Sequence, residues 1–385
     1  DKAPLQPIMA VPFYAAYRGV GGESATKLRI DENLGLWWIT FWMATIPAAV
    51  LAALMYRVGR RYAPADSLPA SVGLFFGSIL LPFAALLFGH TLAALFVFGA
   101  FVLLSGEATR GRLLGAGALC GAAVAAEYTS AVAVVVLAGY ALWRTRRRFG
   151  WFIAGGVPFA VALGWYHTVV FGTPLTHPYR YSAFNEVTTE ARGVFSIFSG
   201  FKPAHVFQVF VDGRGFLIAT PMVIVGLVGL VWILRRGESR RAEAAVALGI
   251  FLAFLLIPAF WANPWGGDSP GARYMTPALP FLVIGAAAIW KRAGILARFA
   301  AVLGILTMMS ALLTQPLLSD EVGVSVGSWV TYATEMGLVP NLFTMAVGPA
   351  GWLIYFGLVI AVATALRRSG SSAVRAVAPS VGDAV

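Results

Sequence analysis

Charged residues are scarce in this chain of 385 residues, of which only 12% are Asp, Glu, Lys or Arg. Soluble domains carry about 25% charged residues, so the composition excludes an ordinary soluble domain. Hydrophobic residues make up 59% of the chain. They fall in runs of about 15–22 residues, the length of a membrane-spanning helix. Strands of a membrane barrel would be about 10 residues long and would alternate in polarity. The sequence therefore predicts an all-α polytopic membrane protein.

Cysteine and histidine are also rare. The single cysteine, Cys120, lies within an apolar run, which excludes a disulfide framework and a cysteine metal site. The four histidines show no HxxxH spacing, so the pattern does not favour a metal held by histidine. A Walker A sequence, a GxGxxG after a strand and a Ser-His-Asp signature are all missing from the sequence.

Eleven apolar segments are candidates for spanning helices. They cover residues 36–56, 70–88, 91–105, 112–127, 129–143, 151–171, 216–234, 244–262, 275–290, 296–317 and 345–366. The apolar stretch Ile8–Tyr17 is too short to span, and we expect it to lie at the membrane interface. Because the chain starts at Asp1 rather than Met, we expect one further helix upstream, which would give twelve spans.

Most of the 28 basic residues fall in short loops that alternation places on one side of the membrane. These Lys and Arg clusters lie within residues 57–61, 110–112, 144–148, 235–241, 291–298 and 367–375. Lys and Arg mark the cytoplasmic side, so the net charge of +11 is a topology signal and we expect no nucleic-acid partner. The N-terminus then lies outside and the C-terminus inside. The expected location is the plasma membrane, the inner membrane in a bacterium.

One transmembrane domain is expected over residues 1–368. Its long outer loops, with short interfacial helices, are residues 1–35, 172–215, 262–274 and 318–344. The tail, residues 369–385, is rich in Ser, Ala and Val, and we expect a disordered cytoplasmic segment. Because the inner loops are short and the outer loops long, we expect the function on the outer face.

Residues 113–143 form one apolar run with Arg clusters at both ends. A single helix cannot place both clusters in the cytoplasm, whereas a hairpin with its tip near Glu127 can. The carboxylate of Glu127 then has two interpretations. It is either a general base or polar contact of a site, or a helix-end carboxylate in water, and the pattern favours the second.

The segment NPWGGDSPGARYMTPALP, residues 263–280, lies between two apolar runs. Its Gly and Pro residues predict a tight turn rather than a helix. The planar fork of Arg273 suits a phosphate oxyanion. Asp268 and Tyr274 stand beside it in sequence, so the loop either lines a site for an anionic, membrane-borne substrate or holds a local Arg–Asp pair.

Two further outer segments carry candidate binding residues. Lys2 precedes the interfacial stretch and either contacts a lipid phosphate or extends its charge to the headgroups. The loop 172–215 contains the sequences HPYRY and DGRG, whose aromatic and charged side chains suit sugar and phosphate contacts or an ordinary solvated loop. The candidates there are His177, Tyr179, Arg180, Asp212 and Arg214.

Taken together, these motifs resemble the GT-C class of integral-membrane glycosyltransferases. The resemblance is to glycosyltransferase family 39, the RgtA/B/C/D-like proteins, which include protein O-mannosyltransferases and aminoarabinose–lipid A transferases. Asp1–Leu5 resembles the family's KPPL stretch, and Gly266–Pro280 resembles a GG-S-G-RY-P-LP loop. Leu114–Val136 resembles a GLxLGLAxLTK hairpin, but with Glu127 and Tyr128 where that pattern often has a basic residue.

The resemblance implies a polyprenyl-phosphate-linked sugar donor and an active site that faces the periplasm or exterior. It implies transfer to a lipid, glycan or protein acceptor. The family's catalytic Asp lies upstream of the KPPL stretch, so we expect it upstream of Asp1, and the catalytic base is not named by this sequence. Lys2 carries over as a contact to the donor phosphate. Arg273 is added as a second phosphate contact on physical grounds.

The resemblance leaves the question of metal open, since some enzymes of this class use a divalent metal and others do not. Acidic candidates on the outer side are Asp31, Glu32, Asp212 and Asp268, although their spacing does not demand a metal.

Two other functions compete with this interpretation. A secondary transporter fits a count of twelve helices, but transporters show repeated halves and polar sites near the bilayer midplane. Here the spans are nearly free of charge. A polymerase or ligase for lipid-linked polysaccharides uses the same kind of donor, and the sequence does not separate it from a glycosyltransferase.

Overall fold

The computed structural model describes residues 2–22, 33–176, 178, 200–236, 240–261, 263–317, 325–339, 344 and 347–357. Within these ranges the chain is helical and contains no strand. The α-helices are α1 (Leu5–Gly19), α2 (Leu34–Gly59, with a π-helical turn at Phe41–Thr45), α3 (Ser67–Phe76), α4 (Leu80–Phe83), α5 (Gly89–Leu104), α6 (Arg110–Ala126), α7 (Ala131–Thr145), α8 (Phe149–Phe171), α9 (Pro203–Val211), α10 (Phe216–Ala219), α11 (Met222–Arg236), α12 (Arg241–Phe260), α13 (Val283–Ala293), α14 (Ile295–Leu313) and α15 (Ser325–Glu335).

Five helical segments among the described residues are long and apolar enough to cross a membrane. They are Leu34–Gly59, Tyr128–Phe171, Arg241–Phe260, Arg273–Ala293 and Ile295–Leu313. A sixth is added if Pro203–Ala219 and Met222–Arg236, which meet at a bend of 100°, form one broken span. The predicted helical membrane character agrees with these segments, whereas the predicted number of eleven spans is not confirmed.

The predicted hairpin at Glu127 is confirmed. Helix α6 ends at Ala126, and Glu127 has an extended backbone with φ −155° and ψ 112°. A short 3₁₀ turn, Tyr128–Ser130, then leads into α7. One apolar run is thus divided into two helices at its single carboxylate.

Helices α6 and α8 run parallel, which requires a second reversal of the chain after α7. A Cβ atom on Gly117 would lie 3.2 Å from the backbone nitrogen of Gly156, and one on Gly121 would lie 2.7 Å from the Cβ atom of Phe159. Residue numbers therefore rise together along the two helices. Because Tyr128–Phe171 has 44 residues, a straight helix of that length would measure about 66 Å, about twice a hydrocarbon core of about 30 Å.

The arginines at both ends of the run 113–143 meet at one end of the bundle, as the hairpin requires. Arg112 donates to the carbonyl oxygens of Val102 and Leu103 at the end of α5. Arg144 donates to the carbonyl oxygen of Leu104, the last residue of the same helix. We call this the basic end.

The basic end also gathers arginines from more distant loops. The hydroxyl of Tyr62, just after α2, donates to the carboxylate of Glu243 in the first turn of α12. The guanidinium of Arg240 lies 5.1 Å from the ring centroid of Tyr62. Tyr140, beside Arg144 in α7, lies within electrostatic reach of Glu243. Positive charge from several loops is therefore concentrated at one end.

Two predicted spans are wrong as continuous helices. The segment 70–88 breaks after α3, where a Cβ on Gly77 would lie 3.3 Å from the carbonyl oxygen of Ala301 in α14. The segment 216–234 breaks between α10 and α11 at Thr220 and Pro221. Proline lacks an N–H donor and disfavours helical geometry in the residue before it, which accounts for the second break.

The predicted loop 262–274 is partly wrong, because a 3₁₀ helix begins at Arg273 and continues to Leu282, where α13 follows. Pro277 and Pro280 lie inside it, and each removes one donor from the hydrogen-bond ladder. The tight turn itself is confirmed. Gly266 and Gly267 have φ values of 84° and 99°, which favour glycine.

Helix α1 lies across the start of α5 and contacts α2. The Gln6 side chain donates to the carbonyl oxygen of Phe88 at 3.0 Å. Phe13 stacks on Trp42 of α2 with ring centroids 4.8 Å apart. Ile8 and Val11 remain 58% and 62% exposed on the other face. These contacts position Lys2, which precedes α1, above the start of α5.

Candidate functional site

Four ionisable side chains, Lys2, His90, Glu127 and Arg273, form a cluster at the end of the bundle opposite the basic end. His90 lies in the first turn of α5, Glu127 follows α6, and Arg273 begins the 3₁₀ helix. Helix α5 has 16 residues and so is about 24 Å long. That length separates the cluster from the arginine contacts at Leu104.

His90 and Glu127 form the inner part of the cluster. The Nδ1 atom of His90 lies 3.3 Å from the Oε2 atom of Glu127, and their side chains are only 2% and 13% exposed. Thr129 donates to the Oε1 atom of Glu127 at 3.4 Å. The interpretation of Glu127 as a helix-end carboxylate in water is therefore wrong.

Close packing of α5 against α6 explains why Glu127 is covered. A Cβ on Gly89 would overlap the carbonyl oxygen of Ala126 and would lie 3.8 Å from the Oε2 atom of Glu127. Leu92 and Ala126 form a small apolar core with Leu5 of α1 beside it. Glycine at position 89 thus brings two helix ends together and holds the carboxylate beneath α1.

Arg273 lies against aromatic rings and the glycine turn. Its guanidinium carbon is 5.9 Å from the ring centroid of Phe88 and 5.6 Å from that of Tyr274. A Cβ on Gly267 would lie 3.5 Å from its Nη2 atom. Its Nε atom is buried and makes no hydrogen bond. Across the described residues, Arg273 forms no ion pair with a carboxylate, and Asp268 is exposed. Of the two alternatives for this loop, the local Arg–Asp pair is therefore not found.

Lys2 brings a second positive charge to the same place. The residue as a whole is exposed, but its ammonium is surrounded by enough protein that burial lowers its pKa below the usual 10.5. The positive charge of Arg273 lowers this pKa further, and the negative charge of Glu127 opposes both effects. Lys2 and Arg273 therefore lie within electrostatic reach of each other, although they come from opposite parts of the chain.

Tyr274 forms a wall of the cluster. Only 2% of it is exposed. Its ring centroid lies 4.9 Å from that of Trp261 at the end of α12 and 6.2 Å from that of His90. A face that stacks on a sugar would need to be open, so these contacts favour a packing role for Tyr274.

Asp212 and Arg214 stabilise turns on the same side of the bundle. Arg214 is 2% exposed, and its Nη1 atom donates to the carbonyl oxygen of Ser269 at 3.4 Å. The Oδ1 atom of Asp212 accepts from the backbone N–H of Gly213 at 2.6 Å. These contacts tie the DGRG segment to the glycine turn. The predicted candidates His177, Tyr179 and Arg180 lie outside the described residues.

The four acidic residues named as metal candidates also lie partly inside and partly outside the described residues. Asp31 and Glu32 lie outside the described ranges, whereas Asp212 and Asp268 lie within them. In the part of the chain that the structure describes, no group of three or more His, Cys, Asp or Glu side chains is placed to hold a metal ion.

His90 is the cluster member that sequence reasoning did not select. The sequence offers only an indirect signal for His90. Glu127 is a single carboxylate in an apolar run and needs a polar partner, and in an antiparallel α5–α6 pair the start of α5 faces the end of α6. His90 is the ionisable residue at that start.

The fold and the cluster define a helical membrane protein with two cations and a buried His–Glu pair at one end. No family model, curated protein or solved structure matches the chain. The resemblance to glycosyltransferases therefore depends on the short motifs alone, and the function is argued from the cluster.

Proposed function

We propose that this chain is a membrane glycosyltransferase that moves a sugar from a polyprenyl-phosphate donor to a lipid, glycan or protein acceptor on the outer face of the membrane. The observation that carries the proposal is the convergence of Lys2 and Arg273 at the end of the bundle opposite the basic end. Like charges repel, so two cations held together in partly buried surroundings favour an anionic ligand.

A lipid phosphate fits the donors that this cluster offers. The Nε atom of Arg273 has no hydrogen-bond partner, and a guanidinium presents paired N–H groups that match phosphate oxygens. As the bond to the sugar breaks, negative charge develops on the phosphate oxygen. Lys2 and Arg273 would stabilise that charge in surroundings with little water.

The placement of α1 suits a substrate with a hydrocarbon chain. Ile8 and Val11 expose apolar side chains a few residues after Lys2. A polyprenyl phosphate must keep its anionic head at the interface while its chain remains in hydrocarbon. The exposed face of α1 would lie along that chain while Lys2 contacts the head.

We further propose the topology that goes with this function. The basic end faces the cytoplasm by the excess of Lys and Arg, and the cluster faces the periplasm or exterior. Eleven spans place the N-terminus outside and the C-terminus inside in a plasma membrane. A transporter would place its polar site near the midplane. Here three of the four side chains lie at the ends of α5, α6 and the 3₁₀ helix, and Lys2 precedes α1.

Binding of farnesyl phosphate, a short polyprenyl phosphate, tests the proposal without knowledge of the sugar. Isothermal titration of the full chain in detergent should detect binding, and farnesol, which lacks the charge, should bind much more weakly. Arg273→Ala should weaken farnesyl phosphate binding about 10- to 100-fold, because a hydrogen bond to a charged group contributes about 1.5–3 kcal/mol. Arg273→Lys should restore only part of the affinity, since the fork is lost.

Arg60→Ala is the matched control, because Arg60 is an exposed arginine near the basic end. It should leave farnesyl phosphate affinity unchanged. Equal affinity for farnesol and farnesyl phosphate, or equal effects of the two substitutions, would show that the cluster is not a phosphate site. Release of sugar from a panel of polyprenyl-phosphate sugars would then distinguish a transferase from a protein that only binds the lipid.

A further inference from the structure

The formal charges of the cluster leave it with one positive charge in excess. Lys2 and Arg273 contribute two positive charges, Glu127 contributes one negative charge in its ionised form, and His90 contributes none in its neutral form. A sugar linked to a lipid through one phosphate is a monoanion, so the occupied site is neutral. The product of transfer is a phosphate monoester with a charge of about −1.5 to −2 near neutral pH. For the occupied site to stay neutral, the cluster must therefore gain about one positive charge during the reaction.

We propose that Glu127 accepts the proton that the acceptor hydroxyl loses, and that His90 positions the Glu127 carboxylate for this step. The inference rests on the proposed function. It departs from the family resemblance, which implies a catalytic Asp upstream of Asp1, by assigning the proton acceptor to Glu127 within the described chain. Glu127 would touch the reacting hydroxyl, whereas His90 would act only through Glu127.

Atoms and charges balance in this step. The acceptor oxygen forms a bond to the anomeric carbon as the bond from that carbon to the phosphate oxygen breaks. The electron pair of the broken bond stays on the phosphate oxygen, which becomes dianionic. The acceptor's proton moves to the Glu127 carboxylate, which becomes neutral. The cluster and its ligand are thus neutral before and after transfer, so no net charge is left in surroundings with a low dielectric constant.

The geometry favours Glu127 over His90 as the proton acceptor. Lys2 is exposed and Arg273 is half-buried, whereas the side chain of Glu127 is 13% exposed and that of His90 is 2% exposed. The imidazole of His90 packs against two aromatic rings. Its ring centroid lies 5.2 Å from that of Phe83 and 5.9 Å from that of Phe88, so the carboxylate of Glu127 is the more accessible group.

The same enclosure makes His90 suited to positioning. It fixes the Nδ1 atom of the imidazole 3.3 Å from one carboxylate oxygen of Glu127, a close contact without a hydrogen bond, while Thr129 donates to the other oxygen at 3.4 Å. A carboxylate held on both sides keeps a defined direction toward a substrate at Lys2 and Arg273, the two cations whose charges act on it.

Proton uptake on binding of a product mimic tests the inference. Farnesyl phosphate is mostly dianionic at about pH 7.5, because the second pKa of a phosphate monoester is about 6. Titration calorimetry in buffers of different ionisation enthalpy counts the protons that binding takes up. Wild type should take up about one proton with farnesyl phosphate and about none with methyl farnesyl phosphate, the monoanionic mimic of the donor.

Glu127→Gln should abolish this proton uptake. It should also bind methyl farnesyl phosphate about 5-fold more tightly, because a like charge near the phosphate has been removed. If Glu127 had a purely structural role, Glu127→Gln would instead weaken the binding of both farnesyl phosphate and methyl farnesyl phosphate. His90→Gln should keep the uptake but weaken binding of farnesyl phosphate. Arginine stays charged throughout this pH range, so Lys2→Arg should still take up the proton. That result would exclude Lys2 as the group that takes it up.

The outcomes separate this inference from the proposed function. Uptake that persists in Glu127→Gln, or that is absent in wild type while farnesyl phosphate still binds at the cluster, overturns Glu127 as acceptor and leaves the phosphate site intact. Uptake that disappears in His90→Gln but not in Glu127→Gln also overturns it. If neither mimic binds, the proposed function and this inference both fail.

Discussion

The Nδ1 atom of His90 lies 3.3 Å from the Oε2 atom of Glu127, and this contact joins the start of α5 to the end of α6. It depends on Gly89, since any side chain there would overlap the carbonyl oxygen of Ala126. Glu127 itself has left the helix, so its carboxylate points into the junction without distorting α6. A backbone contact thus controls the geometry of an ionisable pair.

Gly89→Ala should therefore destabilise the protein and disturb the site together. The added methyl group must push α5 and α6 apart, and overpacking of this kind costs about 1–3 kcal/mol. Thermal unfolding in detergent should show a lower midpoint, and farnesyl phosphate binding should weaken. Gly139→Ala in α7 is the matched control, because nothing lies within 4 Å of its Cβ position. An equal loss of stability in the two variants would contradict this account.

Binding of the anion should weaken as pH rises through the pKa of Lys2. Burial and Arg273 lower this pKa from its usual 10.5, so Lys2 loses its charge at a lower pH than an exposed lysine does. A bound phosphate favours the protonated form, and the affinity therefore decreases once the ammonium deprotonates. Affinities for methyl farnesyl phosphate measured from neutral pH up to about pH 10 would check this, because the charge of that probe is constant.

The stability of the protein without ligand should change with pH in the opposite direction to the binding affinity. Between the lowered pKa and 10.5 the unfolded chain binds more protons at Lys2 than the folded chain, so the free energy of unfolding rises with pH in that window. Lys2→Arg should flatten both trends, since arginine remains charged. A slope that is unchanged in Lys2→Arg would assign the pH dependence to another group.

Much of the fold could be predicted from hydrophobic runs and basic loops. The hairpin at Glu127 followed from the rule that Arg clusters share one side, and the arginine contacts at Leu104 agree with it. The break near Gly77 could not be predicted as easily, because its apolar run carries no local signal at that point, whereas Pro221 is a local signal for the break beside it. Only packing against α14, or the proline itself, decides the outcome.

Three of the four cluster residues could also be named from the sequence. Lys2 follows from the resemblance to the KPPL stretch, Arg273 from the need of a cation at the membrane edge for an anion, and Glu127 from its place as a lone carboxylate in an apolar run. The burial of Glu127 could not be predicted, since it depends on α1 and α5 covering the tip of the hairpin. His90 became significant only after two helix ends were brought together. Contacts between distant segments leave no local pattern in the sequence.

Arg214 should prove structural, in contrast to Arg273. It is buried and donates to the carbonyl oxygen of Ser269, so Arg214→Ala leaves that group with one fewer donor and removes the packing of a buried side chain. Loss of such a contact costs about 1–3 kcal/mol, which a lower unfolding midpoint would report. Asp268→Asn, at an exposed position nearby, should change stability by less than about 0.5 kcal/mol. Folded Arg214→Ala protein should still bind farnesyl phosphate, whereas a loss of binding at unchanged stability would place Arg214 in the site.

The two ends of the bundle should face opposite sides of the membrane, and this can be measured with single cysteines. The natural Cys120 is 2% exposed, so Cys120→Ala provides a background without reactive thiols. Asp268→Cys, next to the glycine turn, should react with an impermeant maleimide on intact cells. Arg146→Cys, at the turn after α7, should react only after the cells are opened. Both positions are exposed, so a failure to react reports the membrane rather than burial. The reverse pattern would place the Lys2–Arg273 cluster in the cytoplasm and contradict an outer-face transferase, and labelling of both positions on intact cells would contradict the proposed topology altogether.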